Sequence, residues 1–237
     1  ADPDDEDGDG ISGRVSWVDT PSGPVPGRFG RKATVATVAD QVSMAYVLDL
    51  GITSPTSPSE NCPTPQVECA AAPSGGAPEI AGDRFDDVVL YSQTLAVPAR
   101  VSADDASVVE GEAIFTTLGC SVCHVATWDT RTHVVPALAD QTIHPYTDLL
   151  LHDMGQGLSD GRSVGDAGPT EWRTAPLWGL GSTHAVNPRA GFLHDGRART
   201  IEEAVLWHGG EARQSRDAFT SLSASDRQRV VAFLKSL

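Results

Sequence analysis

Two thiols and an imidazole stand together at Cys120-Ser121-Val122-Cys123-His124. Cys-x-x-Cys-His is the pattern by which a porphyrin is attached covalently: each thiol adds to a vinyl group, and the following histidine turns in beneath the iron. The two-residue gap lets both sulfurs reach one edge of the macrocycle. A zinc site would need more soft ligands nearby, and the remaining cysteines, Cys62 and Cys69, lie far upstream at an unsuitable spacing. The motif therefore predicts one covalent haem c on Cys120 and Cys123, with His124 as the proximal iron ligand.

What fills the other axial position decides between electron transfer and catalysis. The candidates are His152, Met154, His194 and His208. Thr200 and Glu203 fit a capping box, which predicts a helix from Ile201 to His208 stopped by Gly209-Gly210. On it Ile201, Ala204, Val205 and His208 share one face at the i, i+3, i+4, i+7 spacing. The apolar stripe points His208 inward and makes it the predicted distal ligand, with Met154 as the alternative.

The elements around these residues are read from periodicity and caps. Asp105 to Leu118 is a predicted helix carrying Val108, Ile114, Phe115 and Leu118, with Gly111 four residues before Phe115. Gly111 would permit close crossing with a terminal helix, predicted from a Ser225/Gln228 capping box and the run Val230, Val231, Phe233, Leu234, Leu237. Two more helices are expected, at Thr34–Leu50, stopped by Gly51, and at Asp83–Leu95. Residues 52–82 hold six prolines and read as a long ordered loop that a Cys62–Cys69 disulfide would pin. The stretch 125–147 reads mostly as loop, and Trp172 and Trp178 lie in irregular backbone. Together these predict a mainly α fold: a cytochrome c-like haem domain over 101–237 behind a loop-rich, partly helical segment over 1–100.

Composition narrows the partners. The formal charge is −15, from 32 acidic and 17 basic residues, a field that repels nucleic acid and anionic lipid. A redox partner protein with a basic face fits it better. No apolar run is long enough to span a bilayer, and the Ala1-Asp2-Pro3-Asp4-Asp5 start has no signal-peptide character. A mature, trimmed or fragmentary chain is expected, and covalent haem implies a periplasmic or secreted location. Asp5, Asp7 and Asp9 alternate ahead of Gly10 like the first half of a calcium loop, but Ser16 stands where an EF-hand has its bidentate glutamate. Calcium is an option there, a solvated acidic terminus the other.

Longer motifs carry a resemblance. The segments GCSVCH, YTDLLLHDMGQGLSDG, EWRTAPLWGLG, FLHDGRARTIEEAVLWHGGEA and LSASDRQRVVAFLKSL resemble the C-terminal half of the di-haem oxidoreductase family, also labelled thiol oxidoreductase. DPDDEDGDGISGRVSWV, GRFGRKA and LAVPAR extend the likeness across nearly the whole chain. The family is similar to bacterial di-haem cytochrome c peroxidases and to the enzyme that matures methylamine dehydrogenase. In those relatives a His-Asp-Gly motif precedes the distal ligand by fourteen residues; here His194-Asp195-Gly196 is followed at that distance by His208. The resemblance places His194 near the haem edge or its propionates, with Arg197 as a charge partner. It also implies a second Cys-x-x-Cys-His, which this sequence lacks, and hence an N-terminal haem-bearing portion of the same protein as a partner.

Three functions follow as expectations. The first is a c-type haem electron-transfer module of a di-haem peroxidase-like enzyme, relaying electrons to a catalytic haem in the missing portion. The second is a self-contained mono-haem electron-transfer cytochrome. The third is a calcium-linked structural or interaction domain in which haem is a staple.

Overall fold

The computed structural model describes residues 2–237. Its elements run, in order, β1 (Trp17–Thr20), β2 (Gly23–Pro26), α1 (Val38–Ala45), α2 (Val67–Ala71), α3 (Gly82–Thr94), α4 (Ala106–Thr117), β3 (Trp128–Asp129), β4 (Thr142–Ile143), β5 (Leu151–Asp153), β6 (Glu171–Arg173), α5 (Thr183–Val186), α6 (Ile201–Trp207), α7 (Arg213–Ser221) and α8 (Ala224–Ser236). The strands form two-stranded sheets, β1 with β2, β3 with β4 and β5 with β6. Two compact units result: among the described residues, 2–17, 31–34 and 97–237 make one, 18–30 and 35–96 the other.

The expected mainly α, cytochrome c-like fold is corrected by this architecture. Helix accounts for 39% of residues and strand for 11%, a mixed α and β fold with small sheets. The reason is local. Strands of two to four residues are too short to display an alternating pattern. In β5 the neighbours Leu151 and His152 are both buried, so no alternation exists to be read.

In the larger unit the core is built where α4 crosses α8. A Cβ on Gly111 would stand 2.0 Å from the Arg229 carbonyl oxygen and 3.0 Å from Phe233 Cβ, so only glycine allows this approach. Val108 and Phe115 from α4, Val230, Phe233 and Leu234 from α8, Ile201 from α6 and Phe219 from α7 are buried in one cluster. Phe115 and Phe233 meet as tilted rings, 5.2 Å between centroids. Asp105 caps α4 by accepting from Ser107 N at 2.8 Å. For α8 the cap is Ser223, which accepts from Asp226 N at 3.1 Å, two residues before the expected Ser225. The short helix α7 follows α6 closely and was not expected from periodicity.

The smaller unit carries the β1–β2 pair, α1 and α3. Helix α1 begins at Val38 because Thr37 caps it, four residues later than the Thr34 expected; its continuation Tyr46–Leu50 is a π turn that Gly51, at φ 67°, stops. The one buried residue of α1 is Ser43, whose hydroxyl meets Ser54 Oγ at 2.7 Å and Ser57 Oγ at 2.8 Å. Cys62 and Cys69 are joined in a disulfide, as the sequence led us to expect. Among the described residues no helix is long and apolar enough to cross a membrane.

Candidate functional site

Helix α4 ends at Thr117, and Gly119 at φ 82° turns the chain into a single 3-10 turn, Cys120–Val122. Cys120 and Cys123 are both unpaired thiols, and His124 N bonds back to the Cys120 carbonyl at 3.0 Å. Burial pushes the Cys120 thiol up to about 11, so it is held neutral. A redox Cys-x-x-Cys needs the opposite, a thiol lowered toward thiolate. Cys120 therefore lacks the lowered thiol expected of a disulfide-cycling pair.

His124 donates from Nδ1 to the Tyr146 carbonyl oxygen at 2.9 Å, and its Nε2 has no partner among the described residues. Burial dominates its titration, opposed in part by that bond and reinforced by the nearby charge of His208, and lowers its pKa to about 4. Tyr146 is itself fixed, since its hydroxyl donates to Glu112 Oε1 at 2.7 Å and Arg100 pairs with the other oxygen of that carboxylate. The orientation of the imidazole thus traces back to an ion pair beside the α4–α8 crossing.

His208 caps the C-terminus of α6. Ile201 is buried, and Ala204 and Val205 pack on the same core. Its Nδ1 donates to the Ala204 carbonyl oxygen at 2.8 Å, again with no partner for Nε2 among the described residues, and burial lowers its pKa. The backbone beyond it is held by close approach of main chains. A Cβ on Gly209 would lie 2.9 Å from the Met154 carbonyl oxygen, and one on Gly210 would lie 2.1 Å from that of Asp153. Met154 thus contributes backbone to the loop that carries His208, and Met154 N donates to the Thr170 carbonyl oxygen at 2.9 Å.

His152 is placed very differently. Only 3% exposed, it donates from Nε2 to Asp148 Oδ2 at 2.8 Å and from Nδ1 to Glu211 Oε2 at 2.7 Å, and Nδ1 lies 3.7 Å from Cys123 Sγ. Both nitrogens are committed, so neither is available to a metal. Burial opposes its charge, but the bonds to Asp148, Cys123 and Glu211 outweigh burial and push the pKa up to about 12. Neither Asp148 nor Glu211 stood out in the sequence. The i, i+4 spacing of Asp148 and His152 was the visible signal, although the turn that joins them is not helical.

His194 lies in a separate pocket of about 470 Å³ lined by Arg31, Lys32, Asp160, Trp172 and Arg197. Its ring stacks on Trp172 at 3.6 Å between centroids, and Lys32 Nζ sits 4.3 Å over the same indole. Arg197 pairs with Asp195 at 2.6 Å and lies 4.9 Å over Trp207, the residue before His208. No hydrogen bond or ion pair among the described residues joins His194 to His124 or His208.

At the N-terminus Asp2, Asp5 and Asp7 present oxygens within 4.8 Å of one another, while Asp9 instead accepts from Ile11 N at 2.8 Å. The acidic group that converges is thus Asp2, Asp5 and Asp7, in place of the alternating Asp5, Asp7 and Asp9.

A paired-thiol attachment motif followed by an imidazole, with a second histidine presented alike, defines a haem protein by its donor set. The profile of the family described as "di-haem oxidoreductase, putative peroxidase" matches residues 1–237, and the chain belongs to that family. No curated protein and no solved structure matched.

Proposed function

We propose that Cys120 and Cys123 carry one covalent haem c, that His124 and His208 are its axial ligands, and that this centre relays electrons within a peroxidase-like di-haem enzyme. The observation that carries this reading is the shared posture of the two histidines. Each gives Nδ1–H to a backbone carbonyl and leaves Nε2 unpartnered, the arrangement by which an imidazole is oriented and made more basic toward a metal. Burial keeps both neutral, the protonation state that ligation needs.

When bound, the haem supplies a one-electron iron couple. The chain's own part is positional. Tyr146 and Ala204 hold the two imidazoles, the α4–α8 core packs behind Phe115, and His208, were it to hold the iron opposite His124, would favour relay over turnover. Cys62 and Cys69 are consumed in a disulfide, so we assign the second haem of the pair to an N-terminal haem-bearing portion of the same protein. A periplasmic or secreted setting and a redox partner protein accord with covalent haem and with the charge of −15. The partly exposed acidic group at Asp2, Asp5 and Asp7 adds no support for calcium, which stays out of the proposal.

The test is the ferric electron paramagnetic resonance spectrum of the haem-loaded chain beside that of His208→Ala. A low-spin wild type that turns high-spin in the variant supports relay through a six-coordinate iron. A wild type already high-spin overturns the assignment of His208.

A further inference from the structure

Asp148, His152 and Glu211 form a buried ionic group whose position neither the attachment motif nor the axial histidines require. Both imidazole nitrogens donate to carboxylates, so His152 is a cation between two anions and the group carries a net charge of one negative. Its contacts run to both sides of the haem-attachment region. On the proximal side, Asp148 N donates to the Cys123 carbonyl oxygen at 2.9 Å, and His152 Nδ1 lies 3.7 Å from Cys123 Sγ. On the distal side, Glu211 lies three residues past His208 and accepts from Asp153 N at 3.0 Å.

The N-terminal segment closes over the group. Ser12 Oγ donates to Glu211 Oε1 at 2.9 Å and Ser12 N to Oε2 at 3.1 Å. Gly13, at φ 48°, passes so near that a Cβ there would stand 2.7 Å from His152 Cε1. Water is thereby kept from the imidazolium, while Asp148 and Glu211 are largely covered beside the sulfur through which the haem would be joined to the chain. Charges in such surroundings are screened weakly and act on one another over several ångströms.

We propose that Asp148, His152 and Glu211 are positioning residues that clamp the His208 loop to the Cys123 segment and set the reduction potential of the haem through their fixed charges. This rests on covalent haem at Cys120 and Cys123. A ferric haem carries one more positive charge than a ferrous one, so a neighbouring anion favours the oxidised form and a neighbouring cation the reduced form. Removing either carboxylate charge therefore raises the potential, and removing the imidazolium lowers it. A group whose role was packing alone gives no such opposition of sign.

The experiment is redox titration of the haem-loaded chain, followed by absorption, for wild type, Glu211→Gln, Asp148→Asn and His152→Gln, with the exposed Asp217→Asn as a control for a distant carboxylate. The expected result is an oxidation equilibrium shifted about threefold to tenfold, up to about 59 mV for a one-electron couple. The shift is upward for Glu211→Gln and Asp148→Asn and downward for His152→Gln, with Asp217→Asn unmoved. Shifts of one sign in all three, or none larger than the control, overturn the proposal. Glu211→Gln and Asp148→Asn keep the side-chain shape, so failure of His152→Gln to fold leaves two variants whose sign still decides. Intact mass of the wild type is read first. A chain without bound haem after expression with haem-attachment machinery sinks the parent reading, whereas a loaded chain with unmoved potentials sinks this one alone.

Discussion

Three of the buried or half-buried histidines in the larger unit, His124, His152 and His208, divide into two kinds. His124 and His208 each spend one nitrogen on a backbone carbonyl and keep the other unpartnered among the described residues, while His152 spends both on carboxylates. A carbonyl holds an imidazole without charging it, whereas two carboxylates favour its cation. What a buried histidine can do is thus decided by its Nδ1 partner more than by its depth.

The largest effect that sharpens this contrast is expected from paired alanine variants. His208→Ala should lose the low-spin signal and regain it when free imidazole is added, while His152→Ala should keep a low-spin spectrum. The reverse pattern in electron paramagnetic resonance would break the distinction.

A second difference is energetic. His152→Gln leaves two buried carboxylates without a cation and should cost roughly 3–5 kcal/mol of stability, read by thermal or denaturant unfolding near neutral pH. The folded pKa, about 12, lies above the ordinary 6.5, so this stabilisation is complete below pH 6.5 and is lost progressively as pH rises toward 12. The gap between wild type and variant should therefore narrow in alkaline solution. A gap that widens there would mean the imidazole is neutral.

Smaller effects follow on the carbonyl side of the comparison. Gly111→Ala drives a methyl into the Arg229 carbonyl and should cost about 1–3 kcal/mol, with the melting temperature as readout. Tyr146→Phe removes the hydroxyl bond to Glu112 and the longer one accepted from Arg100, and should cost about 1 kcal/mol. Burial of Glu112 is outweighed by Arg100 and Tyr146, which hold its carboxyl below the usual range. That contribution is present above the ordinary glutamate pKa and lost as pH falls through the depressed one, so the Tyr146→Phe difference should shrink in acid.

Much of the attachment side was legible in the sequence because it is local. The Cys120-x-x-Cys123-His124 spacing and the Thr200 cap lie within one or two turns of chain, whereas α6 ends at Trp207, one residue short of the expected His208. The Gly111 crossing could be anticipated because a glycine inside an apolar helix face has few other uses. What could not be read is what brings distant segments together. Glu211 meets His152 across 59 residues and Ser12 across 199, and no periodicity encodes such pairing. The strands escaped notice for the opposite reason, being too short to carry a period at all. His194 was expected near the haem edge, and its stacking on Trp172 depends on a β strand of three residues.

The four cysteines carry a consequence for maturation. On the proposed attachment of haem at Cys120 and Cys123, one pair must be oxidised and the other left reduced within the same chain. Exchange proceeds through the thiolate, and a thiol held neutral to about 11 enters it slowly. Once folded, the chain therefore holds Cys120 back from the oxidant that joins Cys62 to Cys69, and haem delivery to that thiol can follow oxidation.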